Sequence, residues 1–242
     1  MIRTPPASTL TQSRLASQLA RIAAPVTQQP PGQFAERLGR LIDLSSSVSL
    51  SVTLAGLKRC PFEAIPGGVR RAREDFIKVH GAMVAAIMRS LVPGSGPSRI
   101  KWPRSPEEGG QAAAESYGKF YSAHQREMDA RVRGLQERVR DNLSGISPML
   151  AELAQLDAAL SDALAVDSRR LLASIPVQVI ARVQALRASA IDDESIEQQL
   201  QADLQGLLLA EAEVRLLPAQ GLVEAAAEQA GAQAPVASSG AH

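Results

Sequence analysis

The chain has 242 residues, 45% of them hydrophobic but only 3% aromatic, and its 26 basic residues nearly balance 25 acidic ones for a net charge of +1. That apolar share is enough for a buried core, and its Ala- and Leu-rich make-up suits helix-on-helix packing and argues against sheets. The single cysteine, Cys60, excludes an intrachain disulfide framework and fits a reducing, cytoplasmic setting.

Residues 1–8 read as disordered. A first helix is expected from near Thr11, with Leu15, Leu19 and Ile22 on one face and Pro25 as its stop. Gln12, Arg14, Gln18 and Arg21 interrupt the apolar run that a secretory signal would need. From Phe34 a helical phase runs through Leu38, Leu41 and Ile42 into SSSVSLSVTL at 45–54. That stretch also fits a period of two. A strand there needs a partner for its backbone hydrogen bonds, and the chain offers no second alternating segment, so helix is the preferred reading.

After the turn Pro66-Gly67-Gly68, a helix is predicted to about Val92, with Val69, Ala72, Phe76, Val79, Met83, Ile87 and Leu91 on its stripe. Its most apolar window, Met83 to Val92, is broken by Arg89 and is too short to span a bilayer, so no membrane insertion is expected. Residues 93–112 are rich in proline and glycine and read as a linker. Beyond them Tyr117, Tyr121, His124, Met128, Val132, Leu135, Val139 and Leu143 keep near-heptad spacing, the pattern of a long helix in a bundle or coiled-coil pair. A helix opening at Pro148 follows, with Leu150, Leu153, Leu156, Leu160 and Leu164; then one holding Leu171, Ile175, Val179, Val183 and Leu186. The last carries Ile196, Leu200, Leu204, Leu207 and Leu208 and is expected to close at Pro218.

The fold class is therefore all-α: an elongated multi-helix bundle with coiled-coil-like helix pairs. Its parts are an N-terminal helical region at 9–92, the linker at 93–112, a C-terminal helical region at 113–217 and a mostly disordered tail at 218–242.

Four segments, RLGRLIDLSSSVSLSVTL (37–54), SYGKFYSAHQREMDARVRGLQERV (116–139), SRRLLASIP (168–176) and VRLLPAQGLVEA (214–225), resemble in order and spacing a proteobacterial family of mainly helical proteins catalogued only as a domain of unknown function. The resemblance covers about residues 10 to 228. Its motifs are packing motifs, so it implies a helical fold and no catalytic residues. Members of that family look to be encoded beside a membrane channel-like protein and an OmpA-like peptidoglycan-binding protein, which implies an accessory role at a membrane-anchored assembly.

Motifs for chemistry are sparse. The sequence holds no GxxxxGK[ST], GxGxxG or HExxH pattern and no cysteine pair, so no catalytic, cofactor or metal residue is assigned. His80 and His124 would need to approach each other, with acids added, to hold a metal, and a boundary role on their apolar stripes is the simpler reading of both. Arg70, Arg71 and Arg73 open one helix, and Arg99, Lys101 and Arg104 surround Trp102 in the linker. A tryptophan among cations is a feature of single-stranded nucleic-acid binders, and these seven residues are the candidate anion or nucleic-acid contacts.

Charge is uneven along the chain. Residues 1–140 hold 21 basic residues against 11 acidic ones, whereas residues 141–242 hold 5 against 14. Docking of the acidic part on the basic part, within one chain or between copies in self-association, follows as an expectation. The leading functional reading is a non-enzymatic helical scaffold or adaptor with a protein partner in a membrane-anchored assembly. The competing reading is a nucleic-acid-binding regulator that uses the basic N-terminal part.

Overall fold

The computed structural model describes residues 14–22, 51, 63–92, 98–103, 111–189 and 192–233. Among these the fold is all-α, with no strand. The helices are α1 (Arg14–Ile22), α2 (Gly68–Leu91), α3 (Gln111–Ser144), α4 (Pro148–Leu172), α5 (Ile175–Ala188) and α6 (Asp193–Gln233). Ser51 is helical, and the rest of SSSVSLSVTL lies outside the described residues, as do Cys60, Arg104 and the end of the chain from residue 234. Residues 98–103 are irregular, consistent with the proline-rich composition around them.

The chain forms two compact units, and neither follows the division at the linker. The first takes Met1–Gln28, Ile87–His124 and Ser174–Val214; the second takes Gln29–Ala86, Gln125–Ala173 and Arg215–His242. Each thus draws on both sides of residues 93–112, because α2, α3 and α6 each supply residues to both.

In the first unit the core holds Leu15 and Ile22 of α1, Ile87 and Leu91 of α2, Tyr117, Phe120 and Tyr121 of α3, Val179 and Val183 of α5, and Leu200, Leu204, Leu207 and Leu208 of α6. α1 is held by charge as well as by its two buried side chains. Arg14 pairs with Glu213, and Arg21 lies 3.2 Å from the buried Asp203. Basic N-terminal residues therefore do meet acidic C-terminal ones within a single chain. Gly118 lets α3 approach α5, since a Cβ there would stand 2.7 Å from the Ile180 side chain.

In the second unit Met128, Val132, Leu135, Val139 and Leu143 of α3 are buried, with Ala72 and Met83 of α2 and Leu150, Ala151 and Ala154 of α4. The start of α2 is fixed against the end of α3. Gly67 takes φ +78°, a conformation that side chains resist, and a Cβ on Gly68 would stand 2.6 Å from the Asn142 carbonyl oxygen. The Ile65 N–H donates to the Gly145 carbonyl at 2.7 Å, closing the same corner. α4 opens as its sequence suggests: Pro148 sits in the first turn and the Ser147 hydroxyl accepts from the Leu150 N–H at 3.2 Å.

One expectation is corrected. Pro218 does not close the last helix, which continues to Gln233. A proline inside a helix costs about 3 kcal/mol through its missing N–H and its ring. Burial of Leu216, Ala219, Leu222 and Ala226 in the second unit offsets that cost, and the Ala-rich sequence beyond has the best intrinsic helix propensity.

Candidate functional site

The six described basic and aromatic candidates are divided between the two units. Arg70, Arg71 and Arg73 fall in the second unit; Arg99, Lys101 and Trp102 fall in the first; Arg104 lies outside the described residues. Arg71 is committed to structure. Its Nε donates to Asn142 Oδ1 at 3.0 Å and its terminal nitrogen donates to the Pro66 carbonyl at 2.9 Å, which locks the turn before α2. Arg70 pairs with Glu74 one turn on at 3.2 Å, while Arg73 is exposed.

Trp102 is likewise engaged. Its indole stands edge-on to Tyr117 and to Phe120, each at 5.3 Å between ring centres, and its N–H donates to Glu197 at 3.0 Å. A ring half-buried against two aromatics, with a carboxylate on its only polar atom, is a poor stacking platform for a base beside phosphate. The same carboxylate acts on Tyr117: burial first, and then Glu197, push its phenol above the ordinary value of 10.0, while Arg187 opposes them. Arg99 and Lys101 are exposed on the irregular segment.

The two histidines also fall in different units. His80 is exposed and stacks on Phe76 with 3° between the ring planes, whereas His124 is buried against Phe120 and hydrogen-bonded to Ser90. Among the described residues no group of three or more His, Cys, Asp or Glu side chains is placed to hold a metal ion.

Two buried carboxylates escape a reading by motif. Asp203 receives Arg182 at 2.9 Å, Arg21 at 3.2 Å and the Gln199 amide at 3.1 Å, and Glu211 accepts from the Tyr121 hydroxyl at 2.8 Å. Both lie on the stripe of α6 with Leu200, Leu204, Leu207 and Leu208, so an acid at an apolar phase position was the signal. Arg21, Arg182 and Tyr121 come from neighbouring helices, and Gln199 from the preceding turn of α6 itself. The pattern is mainly that of helix-to-helix ties.

The largest unfilled chemical feature is apolar. α4 buries only Leu150, Ala151 and Ala154, all in its first two turns. Five further large side chains, Met149, Leu160, Leu164, Val166 and Leu171, are each at least 37% exposed, while Leu153, Leu156 and Leu172 are half-buried. Among the described residues, the stretch Pro148–Ala188, which contains α4 and α5, is also apolar enough by length and composition to cross a membrane. Within α4, Asp157, Asp162 and Asp167 recur every fifth residue, and Asp157 pairs with Arg140 of α3 at 2.7 Å. That pairing seats one flank of α4 on α3, beside the part-exposed Leu160 face.

No curated protein and no solved structure matches the chain. A family model does match, over residues 1–228, so the helical fold and the packing motifs above are those of a member of the family described as protein of unknown function DUF3348, to which this chain belongs.

Proposed function

We propose that this protein is a non-enzymatic helical scaffold, that the outer face of α4 is its protein-contact surface, and that it serves in a membrane-anchored assembly of the kind its family resemblance implies. The observation carrying this reading is the apolar face itself. Leu160 and Leu164, one turn apart, are 37% and 40% exposed on a helix whose adjoining flank is tied to α3 by Arg140 through Asp157 and Ser161. A contiguous apolar strip on a surface marks an interaction site more often than a scatter of single apolar residues does. The engaged state of Trp102 and Arg71 weighs against the nucleic-acid reading.

The test is site-specific photo-cross-linking from the full-length chain in its own cell. A photoreactive residue at Leu160 or Leu164 is expected to give protein adducts, identified by mass spectrometry, and one at Arg73 is not. Absence of protein adducts from the α4 positions, or equal yield from Arg73, contradicts the scaffold reading.

A further inference from the structure

We infer that the face of α4 is covered by α4 of a second copy of this chain, packed antiparallel about a two-fold axis. This rests on the reading of that face as a protein-contact surface and names its occupant.

The stripe has the required shape. At about 100° per residue, Met149, Leu153, Leu156, Leu160, Ala163, Leu164 and Leu171 fall within about 100° of arc, a continuous seam along the helix. Over 25 residues the helix is about 37 Å long. From Met149 to Leu171 a strip about 15 Å wide covers at most about 500 Å² per copy and about 1,000 Å² in a pair, at the lower bound of a specific interface and within the weak class, with Leu153, Leu156 and Ala163 in it already half-buried. Asp167 alone interrupts the seam, near one end, where a polar position fixes register.

Charge selects both the occupant and its direction. Glu152 and Arg170 are both exposed, and among the described residues neither has an ion-pair partner. They stand 18 residues apart, about five whole turns, so they lie on the same edge of the seam at opposite ends. In an antiparallel pair the two-fold axis is perpendicular to both helices and brings like edges together with ends reversed. Glu152 of each copy then faces Arg170 of the other, giving two symmetry-related pairs. A parallel pair would set that edge against the flank already occupied by α3 through Asp157, Ser161 and Arg140, which leaves both charges unmatched. The helix is thus complementary to itself in one direction only.

The experiment is sedimentation equilibrium of the full chain from about 1 to 100 µM, for the wild type, Leu160→Glu, Glu152→Arg, Arg170→Glu and the double exchange Glu152→Arg/Arg170→Glu. The wild type is expected to dimerise within that range. Leu160→Glu should be monomeric with an unchanged circular dichroism spectrum, since the site is exposed. Each single reversal should weaken the dimer about tenfold, and the double exchange should return it to within about threefold of wild type. A wild type that stays monomeric, or a double exchange no better than the singles, overturns the proposal. If that monomer still gives protein adducts from Leu160, the scaffold reading stands and only the second copy falls. Flotation with vesicles of phosphatidylcholine and phosphatidylglycerol that depends on Leu160 assigns the face to a lipid surface and overturns both.

Discussion

The Ser90 hydroxyl and His124 Nε2 stand 2.8 Å apart in the first unit, where each residue keeps only 2% of its surface in solvent. A serine and a histidine at that distance invite comparison with a nucleophile and its base. A second bond gives the pair a structural role. The Ser90 hydroxyl donates to the Ile87 carbonyl at 2.7 Å, an arrangement in which its oxygen accepts from a His124 tautomer protonated at Nε2. The pair ties the end of α2 to α3. Ser90→Ala is expected to lower stability by about 1–3 kcal/mol, because it strips a buried donor of its acceptor. Ser90→Ala with His124→Phe should cost less than the two singles together, measured by urea unfolding in a double-mutant cycle. Additive costs would show that the two side chains are not coupled.

Asp203 is a buried acid held by two arginines. It is 1% exposed at its side chain and binds Arg182 and Arg21 from two different helices. Removing a buried carboxylate leaves two guanidinium groups without their acceptor, so Asp203→Ala is expected to cost about 3 kcal/mol. Arg21→Ala should cost under about 1 kcal/mol, because that side chain is half exposed and Arg182 remains on the carboxylate. Hydrogen exchange should reveal faster opening of residues 14–22 in both variants. An α1 as protected as in the wild type would place its anchorage in Leu15 and Ile22 alone.

How far the sequence could be read differs from helix to helix for physical reasons. The near-heptad row from Tyr117 to Leu143 is buried at all eight positions, because a long helix with one apolar stripe has only one way to hide it. Pro218 misled because its local cost was counted and the burial of Leu216, Ala219 and Leu222 around it was not. The Ala-rich sequence after it lacks large side chains, yet its high helix propensity matters more. The candidate site was legible only as residue types. Nothing in the spacing of Trp102 and Glu197 says that a carboxylate 95 residues away will take the indole N–H. The stripe of α4 is visible as leucines at helical spacing, but the spacing does not show that Arg140 grips Asp157 and Ser161 on the flank beside it.

Two glycines of α2 should answer in opposite directions. Gly68→Ala forces a methyl group to within 2.6 Å of the Asn142 carbonyl oxygen and 2.7 Å of Ile146. Backbone on one side leaves no room to give, so a loss of about 2 kcal/mol or more is expected. Gly81 lies in the same helix with nothing within 4 Å of its Cβ position. Gly81→Ala should raise stability by about 0.5–1 kcal/mol through helix propensity. Thermal melts of the two variants settle it. A neutral Gly68→Ala would mean that the corner at Asn142 is looser than its geometry.

The N-terminus of α6 carries a pH-dependent cap. Asp192 Oδ1 accepts from the Ser195 N–H at 2.9 Å and Oδ2 accepts from its hydroxyl at 2.8 Å. The Ser195 backbone hydrogen bond, followed by the one from the Ser195 side chain, holds the Asp192 carboxyl below its ordinary value of 3.8. A depressed carboxylate favours the folded state whenever it is ionised. Its contribution is therefore complete above 3.8 and is lost as pH falls through the lower folded value. Fraying of the first turn at Asp193 and Glu194 should appear only in that acid window, read as the loss of exchange protection at the Ser195 amide. Asp192→Asn keeps an acceptor at the cap and should flatten the dependence on pH, whereas Asp192→Ala should fray the turn at every pH. A carboxyl of Asp192 that titrates at or above 3.8 by NMR, or an Asn variant with the same acid fraying as the wild type, would assign the cap to some other group.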